Sequence, residues 1–304
     1  MIKTKATINY SVGICAYNEE KNIGQLIEAI LNQKQTNNFI LKEIIVVASG
    51  CTDHTASIVQ KWQKSDLRIR LIVEKTRRGK ANAVNLFLKS SKSQYLILES
   101  ADTLPHPATF GKILSKLLQP HIALVGCRVI PRNDHQSFMG FTNHLMWELH
   151  HRLNLQFPER PKVGELIAFK KIFKRVPPSS AADEASIEPL VVGQEYQVGY
   201  CPEAVVYNKG PESVFEYLSR RRRNFAGHTA IRKRQGYSVV TYSSLRILGV
   251  LLSNIQWNNP RFFLFTPIIA LMEMIARFFG MLDFYLKPNN LAVWKIAKTS
   301  KNLK

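Results

Sequence analysis

Acidic residues are scarce in this chain: 22 Asp and Glu stand against 42 Lys and Arg over 304 residues, a net charge of +20. So one-sided a balance calls for a polyanionic partner, whether nucleic acid, anionic lipid or a phosphorylated substrate, or else serves solubility alone. Cysteine is sparse too. Cys15, Cys51, Cys127 and Cys201 are far apart and form no C-x-x-C pair, which argues against a zinc or dithiol redox motif. Three of them lie in or beside expected strands, where free cysteine behaves as a small core hydrophobe, and this suggests a reducing compartment. Met1 to Tyr10 lack the apolar stretch of a secretory signal, so the folded part is expected to stay in the cytoplasm. There is no internal repeat and no low-complexity tract. No zinc-finger, RNP-like or KH-like signature accompanies the positive charge, so nucleic acid is not an expected partner. No glycine-rich signature opens the chain, which argues against a nucleotidyltransferase. What is present in quantity is apolar: 45% of residues are hydrophobic, enough for a sizeable core.

The apolar residues alternate between strand runs and helical spacing. Ile8 to Ile14, Ile44 to Val47, Ile69 to Val73, Tyr95 to Leu98 and Ile122 to Gly126 read as strands. Between them lie helical faces: Ile23, Leu26, Ile27, Ile30 and Leu31; Ala56, Val59 and Trp62; Ala81, Val84 and Leu88; Phe110, Ile113, Leu114, Leu117 and Leu118. Expected helix starts are Asn18 as a cap with Glu19 and Glu20 in the first turn, Thr52 or Asp53, Gly79, and Pro107 as a first helical residue. Strand–helix alternation with short turns predicts an α/β fold around a mostly parallel, doubly wound sheet. Further on, Phe138 to Leu153 reads as a helix, and Glu165 to Phe169 and Ala204 to Tyr207 as strands. His144, His150 and His151 fall on that helix and read as surface or core residues rather than metal ligands.

Polar residues gather where the strands end. Leu96-Ile97-Leu98-Glu99-Ser100-Ala101-Asp102 is an apolar run closed by a carboxylate, the way an open α/β sheet presents a metal or phosphate ligand at its C-terminal edge. With it go Ala16-Tyr17-Asn18-Glu19, Ser49-Gly50-Cys51-Thr52-Asp53, Gly79-Lys80-Ala81-Asn82-Ala83-Val84-Asn85 and the acidic pair Asp183-Glu184. Lys75, Arg77, Arg78 and Lys80 surround Gly79 at a helix N-terminus, a ready anion site or else a solvated basic loop. In this order, the motifs resemble family 2 glycosyltransferases of the GT-A fold, over roughly residues 8 to 235.

The resemblance implies a nucleotide-sugar donor, UDP- or GDP-linked, with a divalent cation, Mg²⁺ or Mn²⁺, neutralising the departing diphosphate. It puts Ala16, Tyr17, Asn18, Glu19, Ser49, Gly79, Lys80, Ser100, Ala101 and Asp102 around the donor and makes Asp102 the metal ligand. Lys80 is the preferred diphosphate contact. The acidic pair supplies the general base of an inverting transfer, Asp183 first and Glu184 as its substitute; paired acids also raise each other's pKa. The family's first metal-strand acid is replaced by Ser100, and its usual base-contacting acid by Ala48 and Ser49. Asp102 otherwise reads as a turn cap, Asp53 as a helix cap and Glu19 as a helix-start residue. Arg220 to Arg223 stand where relatives carry a Q-x-x-R-W-like helix, without its Trp, which weighs against a processive polymerase. Arg220 and Arg223 would share one helix face that clamps diphosphate, while Arg221 and Arg222 turn elsewhere, toward lipid headgroups.

Residues 236–304 form an apolar and basic tail to the catalytic unit of residues 1–235. Between Arg246 and Glu273 the only charge is Arg261, and Asn258-Asn259-Pro260 divides the stretch into two apolar pieces. An interfacial or re-entrant helical hairpin is the favoured arrangement; a span over Phe262 to Leu282 and a soluble packing surface are the others. Beyond Asp283 the tail has five lysines and no acid, which suits an anionic membrane at its cytoplasmic face. The expected acceptor is a glycan or a lipid-linked glycan. Competing readings are a catalytically silent scaffold of the same fold and a basic nucleic-acid-binding protein.

Overall fold

A computed structural model describes residues 7–34, 38–177, 185–286, 301 and 303. Eight strands form one sheet: β1 (Ile8–Ala16), β2 (Phe39–Ser49), β3 (Ile69–Glu74), β4 (Tyr95–Ser100), β5 (Thr103–Pro105), β6 (Ile122–Pro131), β7 (Leu166–Lys170) and β8 (Gln197–Asn208). Their order is β3-β2-β1-β4-β7-β6-β8-β5. The β1–β2, β2–β3, β1–β4 and β6–β8 pairings are parallel, and β7 and β5 enter antiparallel. The sheet is therefore mixed, with four of its seven pairings parallel.

Helices α1 (Ile23–Leu31), α2 (Thr55–Ser65), α3 (Lys80–Ser90), α4 (Thr109–Leu117), α5 (Phe138–Gln156) and α6 (Ile187–Val192) follow in sequence. Side-chain alternation along the strands sorts the core into two layers. Val12, Ile14, Ile44, Val46 and Ile97 pack with the inner faces of α1, α2 and α4. Ile45, Val47, Leu96 and Leu98 pack on the other side with α3 and α6. Gly13 sits in the middle of β1 because Phe87 of α3 lies against it; a Cβ there would come within 2.5 Å of the ring.

Three helix starts differ from the sequence expectation; at α2 the cap position is His54, past the expected Thr52 or Asp53. α1 begins at Ile23, not after Asn18, because Asn18 takes a left-handed backbone (φ 53°) and spends its side chain on the neighbouring loop. α4 begins at Thr109, two residues past Pro107.

The last part of the described chain is helical: α7 (Val214–Gln235), α8 (Ser244–Leu252) and α9 (Pro260–Leu286). Asn258-Asn259-Pro260 does interrupt the apolar stretch, but the second piece does not stop after a few turns. It continues as one helix of 27 residues through Pro267, about 40 Å long at ~1.5 Å per residue. That is long and apolar enough to cross a membrane by length and composition. Its two carboxylates face inward, however. Glu273 accepts from Arg221 Nε (2.6 Å) and Nη2 (2.8 Å) and from the Tyr217 hydroxyl (2.6 Å), and Asp283 pairs with Arg222. Arg221 and Arg222 thus meet carboxylates of α9, and not lipid headgroups as their place on the helix suggested. Away from α7, α9 exposes Leu264, Leu271, Met274 and Phe278, continuous in character with Leu245 and Leu248 of α8 and with Trp257.

Candidate active site

Strand order reverses between β1 and β4, and ligands of open α/β sheets bind in the crevice at such a point. Because β2, β1 and β4 run parallel, their C-terminal ends meet at one edge: Ala16 pairs with Ala48, and Cys15 with Ser100. That register brings Ala16, Ser49 and Ser100 together, with Tyr17, Asn18 and Glu19 in the turn after β1 and Ala101 and Asp102 in the turn after β4. Among the described residues Ser49 Oγ is buried and has no hydrogen-bond partner, an orphaned group of the kind a ligand satisfies.

The first two turns are stitched together. The Thr52 amide donates to Asn18 Oδ1 (2.8 Å), and the Glu19 amide donates to Thr55 Oγ1 (2.7 Å). Asp53 accepts from the Glu20 amide (3.1 Å) and the Thr55 amide (3.0 Å), so from one residue before the His54 cap position it ties the start of α2 to the neighbouring turn. Partial burial works to raise its pKa, but these hydrogen bonds prevail and hold the carboxyl below its usual range. The Arg77 guanidinium lies 4.3 Å above the Tyr17 ring.

Gly79 caps α3 with φ 92°, a backbone that side-chain-bearing residues rarely adopt, and Lys80 is the first residue of the helix. Further along α3, Asn85 Nδ2 donates to the Val176 carbonyl (3.0 Å), and the Val176 amide donates to Asn85 Oδ1 (2.7 Å). This two-bond clamp fixes the chain just before the segment that carries Asp183 and Glu184. Those two acids lie outside the described residues.

Glu19 feels the charge of Asp102 across the switch point. Burial, and then the Asp102 charge, push the Glu19 carboxyl up to about 7, against the opposing pull of Lys301. Among the described residues no group of three or more His, Cys, Asp or Glu is placed to cage a metal. A cation here would have Asp102 as its protein ligand and take its remaining oxygens from diphosphate and water, which suits Mg²⁺ or Mn²⁺.

Arg220 reaches the same edge from α7. Its Nη2 donates to Glu165 Oε1 (2.7 Å), and the Glu165 carbonyl accepts from the Ser100 amide (2.8 Å). Glu165 holds a left-handed backbone, φ 60°, at the entry to β7. Arg223 is partly buried one turn further along α7. Lys162 sits beside this group; burial, reinforced by the Arg221 charge, pulls its ammonium down to about 8. Nothing local in the sequence marked Glu165 or Lys162, because both acquire their setting from α7.

Glu99 was also missed, since in sequence it reads as one more residue of an apolar strand. It is fully buried, and its Oε1 lies 2.6 Å from Thr103 Oγ1, which is itself 2.7 Å from the Ser100 carbonyl. A hydroxyl has one proton and the carbonyl can only accept. The Thr103 hydroxyl therefore shares its one proton between Glu99 Oε1 and the Ser100 carbonyl. Burial pushes the Glu99 carboxyl well up; Thr103 opposes this, and the charges of Glu165 and Asp102 add to it. The native chain therefore keeps a proton that the unfolded chain releases above the ordinary glutamate range, so this group lowers stability as pH rises. Glu99→Gln retains a donor without titrating. Its Tm should fall less than that of the parent between pH 5 and pH 8, and parallel melting profiles would remove the protonated Glu99 from the account.

Residues 11–177, more than half of the chain, match the family described as glycosyl transferase family 2. The chain belongs to that family. It is 34% identical over 130 residues to an uncharacterized glycosyltransferase of Haemophilus influenzae, covering 43% of this chain and 35% of that protein. It is 29% identical over 125 residues to the dolichol-phosphate mannosyltransferase of Saccharomyces cerevisiae, covering 41% and 46%. The chain thus spans from about a third to under half the length of these family members. Its fold matches the mannosyltransferase PcManGT from Pyrobaculum calidifontis, solved with GDP-Man and Mn²⁺, at a TM-score of 0.66 over 92% of this chain and 88% of that one, with 22% identity. The GT-A architecture expected from the family motifs is the one observed.

Proposed function

We propose that this protein transfers a sugar from a UDP- or GDP-linked donor to a glycan or lipid-linked acceptor, with inversion, at the cytoplasmic face of a membrane. The observation that carries this reading is the convergence of three strand ends at the switch point, with the orphaned Ser49 hydroxyl and Asp102 on one edge and the α3 N-terminus beside them. Ala16 to Glu19 and Ser49 receive the nucleoside. Gly79 and Lys80 present backbone N–H groups and an ammonium to the diphosphate, and Arg220 and Arg223 approach it from α7. Asp102 would hold a divalent cation, which when bound would supply positive charge against the leaving diphosphate. Asp183 takes the proton from the acceptor hydroxyl as its oxygen bonds to the anomeric carbon. The bond from that carbon to the diphosphate oxygen breaks on the opposite face, and the nucleoside diphosphate leaves.

Purified protein given Mn²⁺, a panel of UDP- and GDP-sugars and lipid-linked or glycan acceptors should release nucleotide from one donor class. Failure with every donor, in folded protein, would favour a catalytically silent scaffold. A structural neighbour solved with GDP-Man and Mn²⁺ supports the donor class, and similarity to a dolichol-phosphate mannosyltransferase supports a lipid-linked acceptor.

Residues 1–235 are the catalytic unit in this reading, and residues 236–304 dock it to lipid. A perpendicular span would pull Glu273 and Asp283 away from Arg221 and Arg222, at a cost of several kcal/mol per ion. Lying in the interface, α9 keeps both ion pairs and immerses its apolar face. Leu271 and Met274 are 54% and 62% exposed, so charging them leaves the fold intact. The Leu271→Glu, Met274→Glu double variant should partition onto vesicles of zwitterionic and anionic lipid at least about tenfold less than the parent, from ~1.5 kcal/mol or more per apolar side chain. Equal partition would contradict an interfacial α9.

A further inference from the structure

Lys301 is 282 residues from Glu19 in sequence, yet it is seated in the nucleoside end of the site just described. Its Nζ donates to the Asn18 carbonyl (2.8 Å), to Glu19 Oε1 (2.7 Å) and to the Tyr17 carbonyl, and lies 5.7 Å from the centre of the Tyr17 ring. Leu303 is seated nearby. It is 3% exposed; its amide donates to Asn22 Oδ1 (3.2 Å) and its carbonyl accepts from Arg132 Nη1 (3.3 Å). Asn22 is itself fully buried and donates to the other Glu19 oxygen (3.0 Å), so Leu303 and the ammonium seat belong to one network.

The chemistry of the seat tells a plug from a lid. A lysine that closes over a donor to hold its diphosphate must present N–H groups to phosphate oxygens. An ammonium has three N–H groups, and here three acceptors on residues 17 to 19 take them. Those acceptors are the ones that hydrogen-bond donors of a nucleoside, its base N–H and ribose hydroxyls, would meet. Lys301 therefore occupies this position in place of the nucleoside, and a phosphate would find no N–H left on it.

We propose that Lys301 and Leu303 form an autoinhibitory plug, in which the tail's ammonium competes with the nucleoside of the donor for the turn after β1. This rests on the assignment of that turn to the donor. Binding then requires the plug to leave, and the apparent affinity is reduced by the fraction of molecules in which it is seated.

The test uses the full chain, in two measurements. In the first, lysines are acylated in a brief pulse and Lys301 is compared with the exposed Lys61 and Lys64. Lys301 should react about tenfold more slowly, and the protection should vanish when UDP or GDP is added with Mn²⁺. In the second, calorimetry compares nucleotide binding by the parent and by Lys301→Ala; the variant should bind about three- to tenfold more tightly. Labelling of Lys301 at the rate of Lys61 overturns the plug, as does protection that survives saturating nucleotide. Equal or weaker binding by Lys301→Ala overturns it too, weaker binding making Lys301 a donor contact instead. If Lys301 is protected while neither protein binds any nucleotide, the assignment of the donor site fails and the plug fails with it.

Discussion

Asp102→Ala is expected to lower turnover by about 10³-fold, with the fold intact and the melting temperature nearly unchanged. Asp102 stands in the turn after β4, partly exposed. Its proposed work is to fix a divalent cation against the diphosphate, and removing a group that stabilises developing charge typically costs ~10²–10³ in rate or more. Few protein ligands stand by to compensate, since no cage of three metal-binding side chains exists among the described residues. Ser100 cannot substitute, because a neutral hydroxyl is a poor replacement for a carboxylate on a hard cation. Asp102→Asn should lose nearly as much. Assays across Mn²⁺ concentrations check the assignment: a ligand variant recovers in part at high metal, whereas a variant damaged in packing does not. Activity within a few-fold of the parent would take Asp102 out of the metal role and leave it as a turn residue.

Asp183→Asn should cost about 10²–10⁴ in turnover, the usual contribution of a positioned general base. Donor binding should be unaffected, because the base meets the acceptor and not the nucleotide. That split separates Asp183 from Asp102, whose loss should weaken both. Glu184→Gln is the internal comparison. A smaller effect at Glu184 supports Asp183 as the base, and the reverse order exchanges their roles. The Asn85 clamp on Val176 adds a positional check. Asn85→Ala frees the chain ahead of the acidic pair and should lower turnover without altering nucleotide affinity.

Much of this site is legible in the sequence because strand ends are local events. An apolar run closed by Ser100-Ala101-Asp102, another closed by Ala48-Ser49 and a helix opened by Gly79-Lys80 are each read within a few residues, and parallel pairing then brings them to one edge. Asp53 marks a helix start in the same local sense, although the cap position of α2 falls on His54 and Asp53 accepts from the Thr55 amide from one residue earlier. What escaped depends on distant partners. Asn18 has the composition of a helix cap, but Thr52 claims its side chain from another loop and α1 starts later. Glu99 looks like strand interior, and its protonated role emerges only with burial and the neighbouring acids. Glu165 and Arg220 meet across 55 residues. In the C-terminal region, Asn258-Asn259-Pro260 correctly marked a break. The inward turn of Glu273 and Asp283 on α9 was set by arginines on α7, which no window along the apolar stretch contains.

The measurement that bears most directly on the central claim is a calorimetric titration of the parent and of Asp102→Ala with UDP and with GDP, each with and without Mn²⁺. The account predicts that one nucleotide binds the parent, that Mn²⁺ strengthens the binding, and that the strengthening disappears in Asp102→Ala. Binding that ignores both the metal and the substitution, or no binding of either nucleotide by folded protein, would contradict a nucleotide-sugar site at the C-terminal edge of β1, β2 and β4.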